Sequence, residues 1–331
     1  MTAFSVIQQN ALALKLIPIH FRELLYINSV AFDVYAVKDE IYEIVLTAGQ
    51  TLEKKILKDF ITRGIMTLYI EEDHRLKLVE IQKENLRAAT RSLSIGDPVE
   101  KGKRQMALLS INLGHFYEDT ASDDSLALLI QSAKNLFQFL YDNPETHRPL
   151  FDEYIKQRHH YIFAQPLISS LFLLGTLKQS HSLGEKEIEN LFLTSYFKDV
   201  GMSAIPTQKY DSAQLSDQDK ILLLKHPTHS VSILNGRLNL RPTYLKIIEN
   251  HHLFTLLQNK IAPTEDILTG FETMMVSITD VIAAMVSERP YRPSLPVYRS
   301  LEYVKLLIAD QYPSEFRLLV SYFKQFYSTS K

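Results

Sequence analysis

Most histidines from residue 159 onward occur in close pairs, with Asp199 between the first two pairs and Asp280 after the last one. In chain order the set is His159, His160, Asp199, His226, His229, His251, His252 and Asp280. Imidazole nitrogens and carboxylate oxygens are ligands that iron, manganese and zinc accept in proteins. Adjacent residues of a helix point about 100° apart, so a neighbouring pair more often gives one inward ring than two ligands of one ion. The residue types therefore allow a metal site, and a further pattern is needed to select its ligands.

The composition restricts what such a site could contain. The 331 residues include no cysteine, which excludes a disulfide framework, a thiolate zinc site and a cysteine nucleophile. The 36 Lys and Arg against 38 Asp and Glu give a formal net charge of -2, which argues against a nucleic-acid polymer as a partner recognised by bulk charge. Glycine is scarce, with 10 residues, so no glycine-rich phosphate loop is expected. Any metal must be bound by His and carboxylates.

The elements that would carry these residues begin with a small α+β unit. Residues 30–47 alternate apolar and polar positions on either side of a polar segment at 38–40, a pattern typical of a β-hairpin. Apolar residues then recur at helical spacing over 52–61, and residues 65–70 indicate a further strand. We predict an α+β accessory domain over residues 1–75.

The remainder of the sequence has helical periodicity. Residues 75–109 combine many charges with one apolar face, which indicates a connecting helix. Another apolar stripe runs from Leu128 to Leu140. We predict a mainly α fold, with a helical linker region over residues 76–145 and a helical bundle over residues 146–331.

No segment of the sequence predicts a membrane span or a secretory signal. Residues 161–177 carry no charge, but they are fewer than the ~20 apolar residues that a span needs, so we expect a buried core helix there. The N-terminal residues lack a basic segment followed by an apolar stretch and a cleavage site. We therefore expect a cytoplasmic protein.

Short motifs accompany the histidines and aspartates in a fixed order. They are Lys198-Asp199-Val200-Gly201, Ile205-Pro206, His226-Pro227, His251-His252, Asp280 and Arg289-Pro290-Tyr291-Arg292. Over residues 150–331 this order resembles the HD-GYP family, bacterial metal-dependent phosphohydrolases of the HD superfamily that cleave the second messenger cyclic di-GMP. Several separated motifs carry the resemblance, which makes it more specific than any single motif. More weakly, residues 1–75 resemble the accessory domain of some HD-GYP proteins.

The resemblance implies a helical HD-domain bundle that holds two divalent metal ions, iron or manganese, and binds cyclic di-GMP or a related nucleotide. Asp199 would bridge the two ions and act in catalysis. His160 and Asp280 would bind one ion, with His159 as the alternative to His160. The ligands of the other ion would be His226, His251 and His252. The accessory domain would be the place for a protein partner.

Two arginines of the last motif carry guanidinium groups suited to phosphate oxygens. Arg289 and Arg292 are therefore candidate ligands for the nucleotide. A structural interpretation has equal weight: Arg289 and Pro290 would end a helix, and Arg292 would bind backbone carbonyls or a carboxylate of the loop.

The sequence also departs from the family pattern. Lys198 stands in place of the His of the His-Asp pair, Met202 in place of a Lys and Leu253 in place of a Glu, and no Gly-Tyr-Pro follows His252. We therefore expect hydrolysis of cyclic di-GMP to be slow or undetectable. Two functions stay open: a weak metal-dependent phosphodiesterase, and a non-catalytic signalling module that binds a cyclic dinucleotide or metal.

Lys198 is the substitution with the largest chemical consequence. A protonated amine cannot coordinate a metal and repels one. Three arrangements are open: the side chain turns away and water completes the metal shell, its charge replaces one metal ion, or it contacts ligand phosphate in a catalytic site with Asp199. The first and third are favoured, because the six other candidate ligands are present.

Overall fold

The computed structural model describes residues 15–24, 27, 29–38, 41–63, 65, 67–92, 96–156, 161–180, 182–211, 214–259 and 270–328. The chain divides into two compact units, Met1–Ser94 and Ile95–Lys331. The division lies later in the chain than the predicted boundary at residue 75. The predicted ligand His160 and its alternative His159 lie outside the described residues.

The first unit is built on an antiparallel sheet. Its strands are β1 (Leu16–His20), β2 (Val34–Lys38), β3 (Ile41–Leu46) and β4 (Thr67–Glu71), in the order β1-β4-β2-β3. Helices α1 (Lys54–Thr62) and α2 (Arg75–Ser92) accompany the sheet. The predicted hairpin is confirmed, with Val37 opposite Tyr42. Helix α2 belongs to this unit because Leu78 lies in its core and the Gln82 amide donates a hydrogen bond to the Glu23 carbonyl, 2.6 Å away.

The predicted connecting helix over residues 75–109 is two helices, so the prediction of one continuous element is wrong. Helix α2 ends at Ser92, and α3 begins at Pro98. The Asp97 carboxylate accepts hydrogen bonds from the backbone N–H groups of Val99 and Glu100, and proline occupies the first turn. These are the signals of a new helix start.

The second unit is a helical bundle, as the sequence predicts. Its helices are α3 (Pro98–Glu118), α4 (Asp123–Asp142), α5 (His147–Lys156), α6 (Tyr161–Leu177), α7 (Glu185–Phe197), α8 (Asp217–Leu224), α9 (His226–Leu234), α10 (Pro242–Glu249), α11 (Leu253–Gln258), α12 (Phe271–Val286), α13 (Val297–Ile308) and α14 (Pro313–Ser328).

Helix α6 lies at the centre of this bundle. Almost all of its side chains are buried, Leu167, Leu171 and Leu174 among them, and it packs against both α7 and α12. This confirms the expected buried core helix. Among the described helices, none combines the length and the hydrophobicity needed to cross a membrane.

The candidate site lies where several of these helices end or begin. Residues 198 and 199 follow α7 directly, and a 3-10 turn, Val200–Ala204, continues the chain. His226 is the first residue of α9, and His251 comes just after α10. Asp280 differs, because it lies inside α12. The packing of α12 and α7 against the common neighbour α6 therefore brings the carboxylates together.

Candidate metal centre

A buried lysine joins the two aspartates of the predicted site. The Nζ atom of Lys198 lies 2.5 Å from Asp199 Oδ2 and 2.8 Å from Asp280 Oδ1. The Lys198 side chain is 0% exposed. The Lys198 side chain therefore points toward Asp199 and Asp280 and does not turn away from them. Its replacement of a metal ion and its contact with ligand phosphate, the other two arrangements open from the sequence, stay predictions.

Two histidines face the other oxygen of Asp199. Nε2 of His226 and Nε2 of His251 each lie 3.3 Å from Asp199 Oδ1, and they are 3.2 Å from each other. The Nδ1 atoms lie 2.5 Å from the Leu223 carbonyl and 2.6 Å from the Ile248 carbonyl. Since a carbonyl only accepts hydrogen bonds, both Nδ1 atoms carry a proton, and a neutral ring then has its lone pair on Nε2.

Three electron-pair donors therefore point at one another on this side of Asp199. Their separations of 3.2 and 3.3 Å match neighbouring ligands of an ion that binds each at about 2.1 Å. A cation between them would remove the mutual repulsion of the lone pairs. The donor set, two imidazoles and one carboxylate, suits iron, manganese or zinc.

His252 lies at the open edge of this group. Its ring centroid is 4.0 Å from that of His251 and 5.1 Å from that of His226, and ligand nitrogens of the three residues all lie within 4.8 Å of one another. Although the residue as a whole is exposed, desolvation of the ring and the two neighbouring imidazoles lower the pKa of His252 to about 2. The ring is therefore neutral at pH 7 and able to coordinate a metal.

The charges around Asp199 keep it ionised. Burial alone would raise the pKa of Asp199, but the charge of the Lys198 ammonium holds it well below its usual range. Burial lowers the pKa of Lys198, but the charges of Asp199 and Asp280 outweigh it and raise the pKa of the amine above its ordinary value. Lysine and carboxylates therefore form a buried ion pair rather than a neutral hydrogen-bonded group.

Gly201 allows the close approach that brings His226 to Asp199. A Cβ at this position would lie 2.2 Å from the His226 carbonyl oxygen and 2.6 Å from the Ser230 nitrogen, both backbone atoms. The Gly201 N–H donates to Ser230 Oγ at 2.8 Å, and that hydroxyl donates to the Lys198 carbonyl at 2.6 Å. Ser230 of α9 therefore binds the backbone on both sides of Asp199, at Lys198 and at Gly201.

A glutamine and an arginine extend the site beyond Asp280. Gln165 of α6 donates from Nε2 to Asp280 Oδ1 at 2.7 Å, and its Oε1 accepts a hydrogen bond from Arg289 Nη2. The Arg289 guanidinium also lies 4.1 Å from the centre of the Tyr161 ring. Arg289 therefore reaches the site through Gln165, which positions Asp280 for Lys198.

Arg292 has the structural role that the sequence left open. Its guanidinium donates to the carbonyls of Ala284 and Met285, at 2.8 and 3.2 Å, in the last turn of α12. These carbonyls lack an intrahelical partner, and a cation at this end of a helix is stabilising. The structure thus places Arg292 at the end of α12, and the contact of Arg292 with phosphate stays a prediction.

The sequence has no match among protein-family models or curated proteins. A solved structure is similar: Bd1817, a HDG"Y"P protein from Bdellovibrio bacteriovorus, superposes with a TM-score of 0.63 at 15% sequence identity, over 93% of this chain and 99% of that chain. The fold is HD-GYP-like.

Six of the predicted site residues lie together: Lys198 and five predicted metal ligands. The ligands are Asp199, His226, His251, His252 and Asp280. Sequence reasoning missed Gln165 and Ser230, since neither belongs to a motif that it used. It also missed Tyr117, whose hydroxyl donates to the Asp199 carbonyl at 3.0 Å. No local pattern marks these residues, because their partners are distant in the sequence.

Proposed function

We propose that this chain is an HD-GYP-like signalling module that binds a divalent metal ion and, through it, cyclic di-GMP or a related nucleotide, with slow or undetectable hydrolysis. The observation that carries the proposal is the contrast around Asp199. One oxygen faces the lone pairs of His226 and His251, 3.3 Å away, and the other already contacts the Lys198 ammonium at 2.5 Å. The first side suits a metal ion and the second does not.

The metal ion would supply positive charge to a phosphate group and lower the pKa of a bound water. The chain's own residues then decide how well the diester is positioned. Asp199 and the two buried imidazoles would hold the ion, and the exposed His252 lies on the side from which a ligand can enter. Iron or manganese is the metal that the resemblance implies, and the nitrogen and oxygen donors are compatible with both.

The chain segment after His252 favours binding over hydrolysis. Leu253 stands where the resemblance places a Glu, and it is 1% exposed. The next residue, Phe254, is also buried, and its backbone N–H donates to Ser277 Oγ at 2.7 Å. Both residues face the protein core, so neither can position a diester or carry a proton. A misplaced phosphate can lose about a hundredfold in rate even where the chemistry is intact.

The second candidate function is a weak metal-dependent phosphodiesterase. Its support is that five of the six predicted ligands gather in one place, with Asp199 between the aspartate and histidine groups. The site of a functional enzyme would need the Lys198 ammonium to leave these carboxylates. The buried ion pair argues against that movement, so we place this function second.

The test measures nucleotide binding and hydrolysis on the same manganese-loaded sample. We expect cyclic di-GMP to bind at least tenfold more weakly after chelation, and turnover to be about a hundredfold slower than in a Lys198→His variant that restores the missing imidazole. His229→Ala is the matched control, because His229 lies outside the ligand cluster. Rapid turnover by the unmodified protein would contradict the proposal. Absence of binding to all cyclic dinucleotides tested would favour a scaffold.

A further inference from the structure

Asp199 presents its two carboxylate oxygens to two different cationic positions. Oδ1 faces the imidazole nitrogens of His226 and His251 at 3.3 Å. Oδ2 contacts the Lys198 ammonium at 2.5 Å. This is the geometry of a bridging carboxylate in which a covalently attached ammonium has one of the two cation positions.

We infer that the centre holds a single divalent ion on the histidine side, and that the Lys198 ammonium takes the place of a second ion between Asp199 and Asp280. This inference rests on the metal binding of the proposed function and changes the expected metal content from two ions to one. It also gives Lys198 a role that differs from the catalytic one implied by its position in the motif.

The contacts of Lys198 leave no place for a second ion. The ammonium lies 2.5 Å from Asp199 Oδ2 and 2.8 Å from Asp280 Oδ1. A metal bound to the same two oxygens at about 2.1 Å would overlap the nitrogen. The two positive charges would also repel each other strongly in a buried site.

Displacing the lysine is equally unfavourable. Its side chain is 0% exposed, so outward movement would have to open the bundle, and inward movement would leave a buried ammonium without partners. An unpaired buried charge is strongly destabilising. Asp280 is held in place as well, since Gln165 donates to the same Oδ1 at 2.7 Å. Neither Lys198 nor Asp280 can therefore move to make room for a metal ion.

A fixed ammonium differs from a metal ion in what it can supply. It neutralises carboxylates and attracts phosphate, but it has no vacant orbital and cannot act as a Lewis acid. A centre with one ion and one ammonium therefore retains charge for anion binding and lacks the paired activation of a two-metal site.

The experiment counts metal ions per chain after loading with Mn²⁺ and removal of unbound metal. We expect one ion in the unmodified protein, two in Lys198→His, and one in Lys209→Ala. Lys209 is the matched control because its ammonium contacts Asp219 at 2.9 Å in a different, half-exposed pair. Electron paramagnetic resonance provides the second readout: an isolated Mn²⁺ spectrum in the unmodified protein and a spin-coupled pair in Lys198→His.

Asp280→Asn keeps the test informative if Lys198→His does not fold. Among the described residues, the polar contacts of Asp280 are with Lys198 and Gln165, so in a one-ion centre we expect Asp280→Asn to retain its single ion. Loss of metal from Asp280→Asn, two ions in the unmodified protein, or one ion in folded Lys198→His would each overturn the inference. Two ions would leave the proposed function standing, whereas a metal-free protein after loading would contradict the proposed function itself.

Discussion

The two halves of the candidate site place chemically different groups against the two oxygens of Asp199. The histidine half consists of His226, His251 and His252, and the lysine half consists of Lys198 and Asp280, with Asp199 shared. In the histidine half, three electron-pair donors converge and a cation must be added. In the lysine half, the chain supplies the cation itself. A bridging carboxylate can therefore be kept while one of its two cations becomes part of the polypeptide.

The halves also differ in access to solvent, because the exposed His252 belongs to the histidine half, although His226 and His251 are as buried as Asp280. Asp280 lies inside the largely buried helix α12, and Lys198 follows α7, which packs with α12 against α6. The histidine half is carried by the start of α9 and the turn after α10, and His252 is exposed. Ligand exchange is therefore expected on the histidine half, and structural support on the lysine half.

The largest effect is expected from removing the residue that both halves share. Asp199→Ala deletes a metal ligand and leaves Lys198 with Asp280 as its acidic partner. We expect Mn²⁺ affinity to fall by more than a hundredfold. Removing one partner of a buried ion pair costs about 3–5 kcal/mol, so the free energy of unfolding should fall by a similar amount. Calorimetric titration and guanidinium unfolding in chelator measure the two effects separately.

His229→Ala is the control for this variant. His229 lies three residues after His226 in the same helix, but it is not among the clustered ligands. We expect its metal affinity to stay within about twofold of the unmodified protein, well below the effect of losing a ligand. Equal loss of metal in Asp199→Ala and His229→Ala would show that the histidine half is not the metal site.

The order of motifs was enough to predict the histidine half, because each ligand lies next to a short helix end that the motif includes. The same order placed Lys198 and Asp280 at the site, but it did not predict the contact between them. Lys198 and Asp280 are far apart in sequence, and the direction of the lysine depends on the packing of α7 and α12 against α6. Gln165, which donates to Asp280, lies in α6 itself and belongs to no motif.

The fold shows the same limit of local patterns. The hairpin of β2 and β3 was predicted because its signals are adjacent in the chain. Strand β1 was missed, since its partner is the distant β4 and its five residues carry little pattern of their own. One helix was predicted where α2 and α3 lie, because a shared apolar periodicity outweighed the capping signal at Asp97 and Pro98.

A smaller effect is expected from Gly201→Ala, which disturbs the contact between the halves. The new Cβ would lie 2.2 Å from the His226 carbonyl oxygen, a backbone atom that can move only with α9. We expect a loss of about 1–3 kcal/mol in the free energy of unfolding. Metal affinity should fall with it, because His226 moves relative to Asp199. Guanidinium unfolding and Mn²⁺ titration test the two expectations.

Gly114→Ala provides the matched substitution for Gly201. Gly114 lies inside α3, and the nearest atom to its Cβ would be in the Phe163 ring at an ordinary 3.9 Å. Alanine is a better helix former than glycine, so we expect stability to rise by about 0.5–1 kcal/mol. Metal affinity should not change. If both variants behave alike, the close packing at Gly201 does not position the histidine half.

The last prediction concerns pH and uses a buried histidine outside the site as a reference for the histidine half. Both ring nitrogens of His147 have partners: Nε2 lies 2.9 Å from the Leu140 carbonyl, to which it donates, and Nδ1 lies 3.3 Å from the Tyr322 hydroxyl. Burial lowers the pKa of His147 to about 4. The hydrogen bond to Leu140 opposes this shift, and the Lys178 charge adds to it.

The pH dependence of stability follows from the direction of that shift. The unfolded chain binds a proton at His147 near pH ~6.5, whereas the folded protein does so only near the lower value, so the stabilisation is complete above ~6.5 and is lost as the pH falls. Between pH 7 and pH 5 this one residue should lower the free energy of unfolding by about 2 kcal/mol.

His147→Gln has a neutral amide in the same place and should lack that part of the pH dependence. Guanidinium unfolding of both proteins in chelator isolates the difference, because the two proteins differ only at residue 147. Parallel pH profiles would contradict the assignment of His147 as a neutral core residue. A remaining acid sensitivity in His147→Gln that Mn²⁺ reduces would instead belong to the histidine half, where protons and metal compete for the same nitrogens.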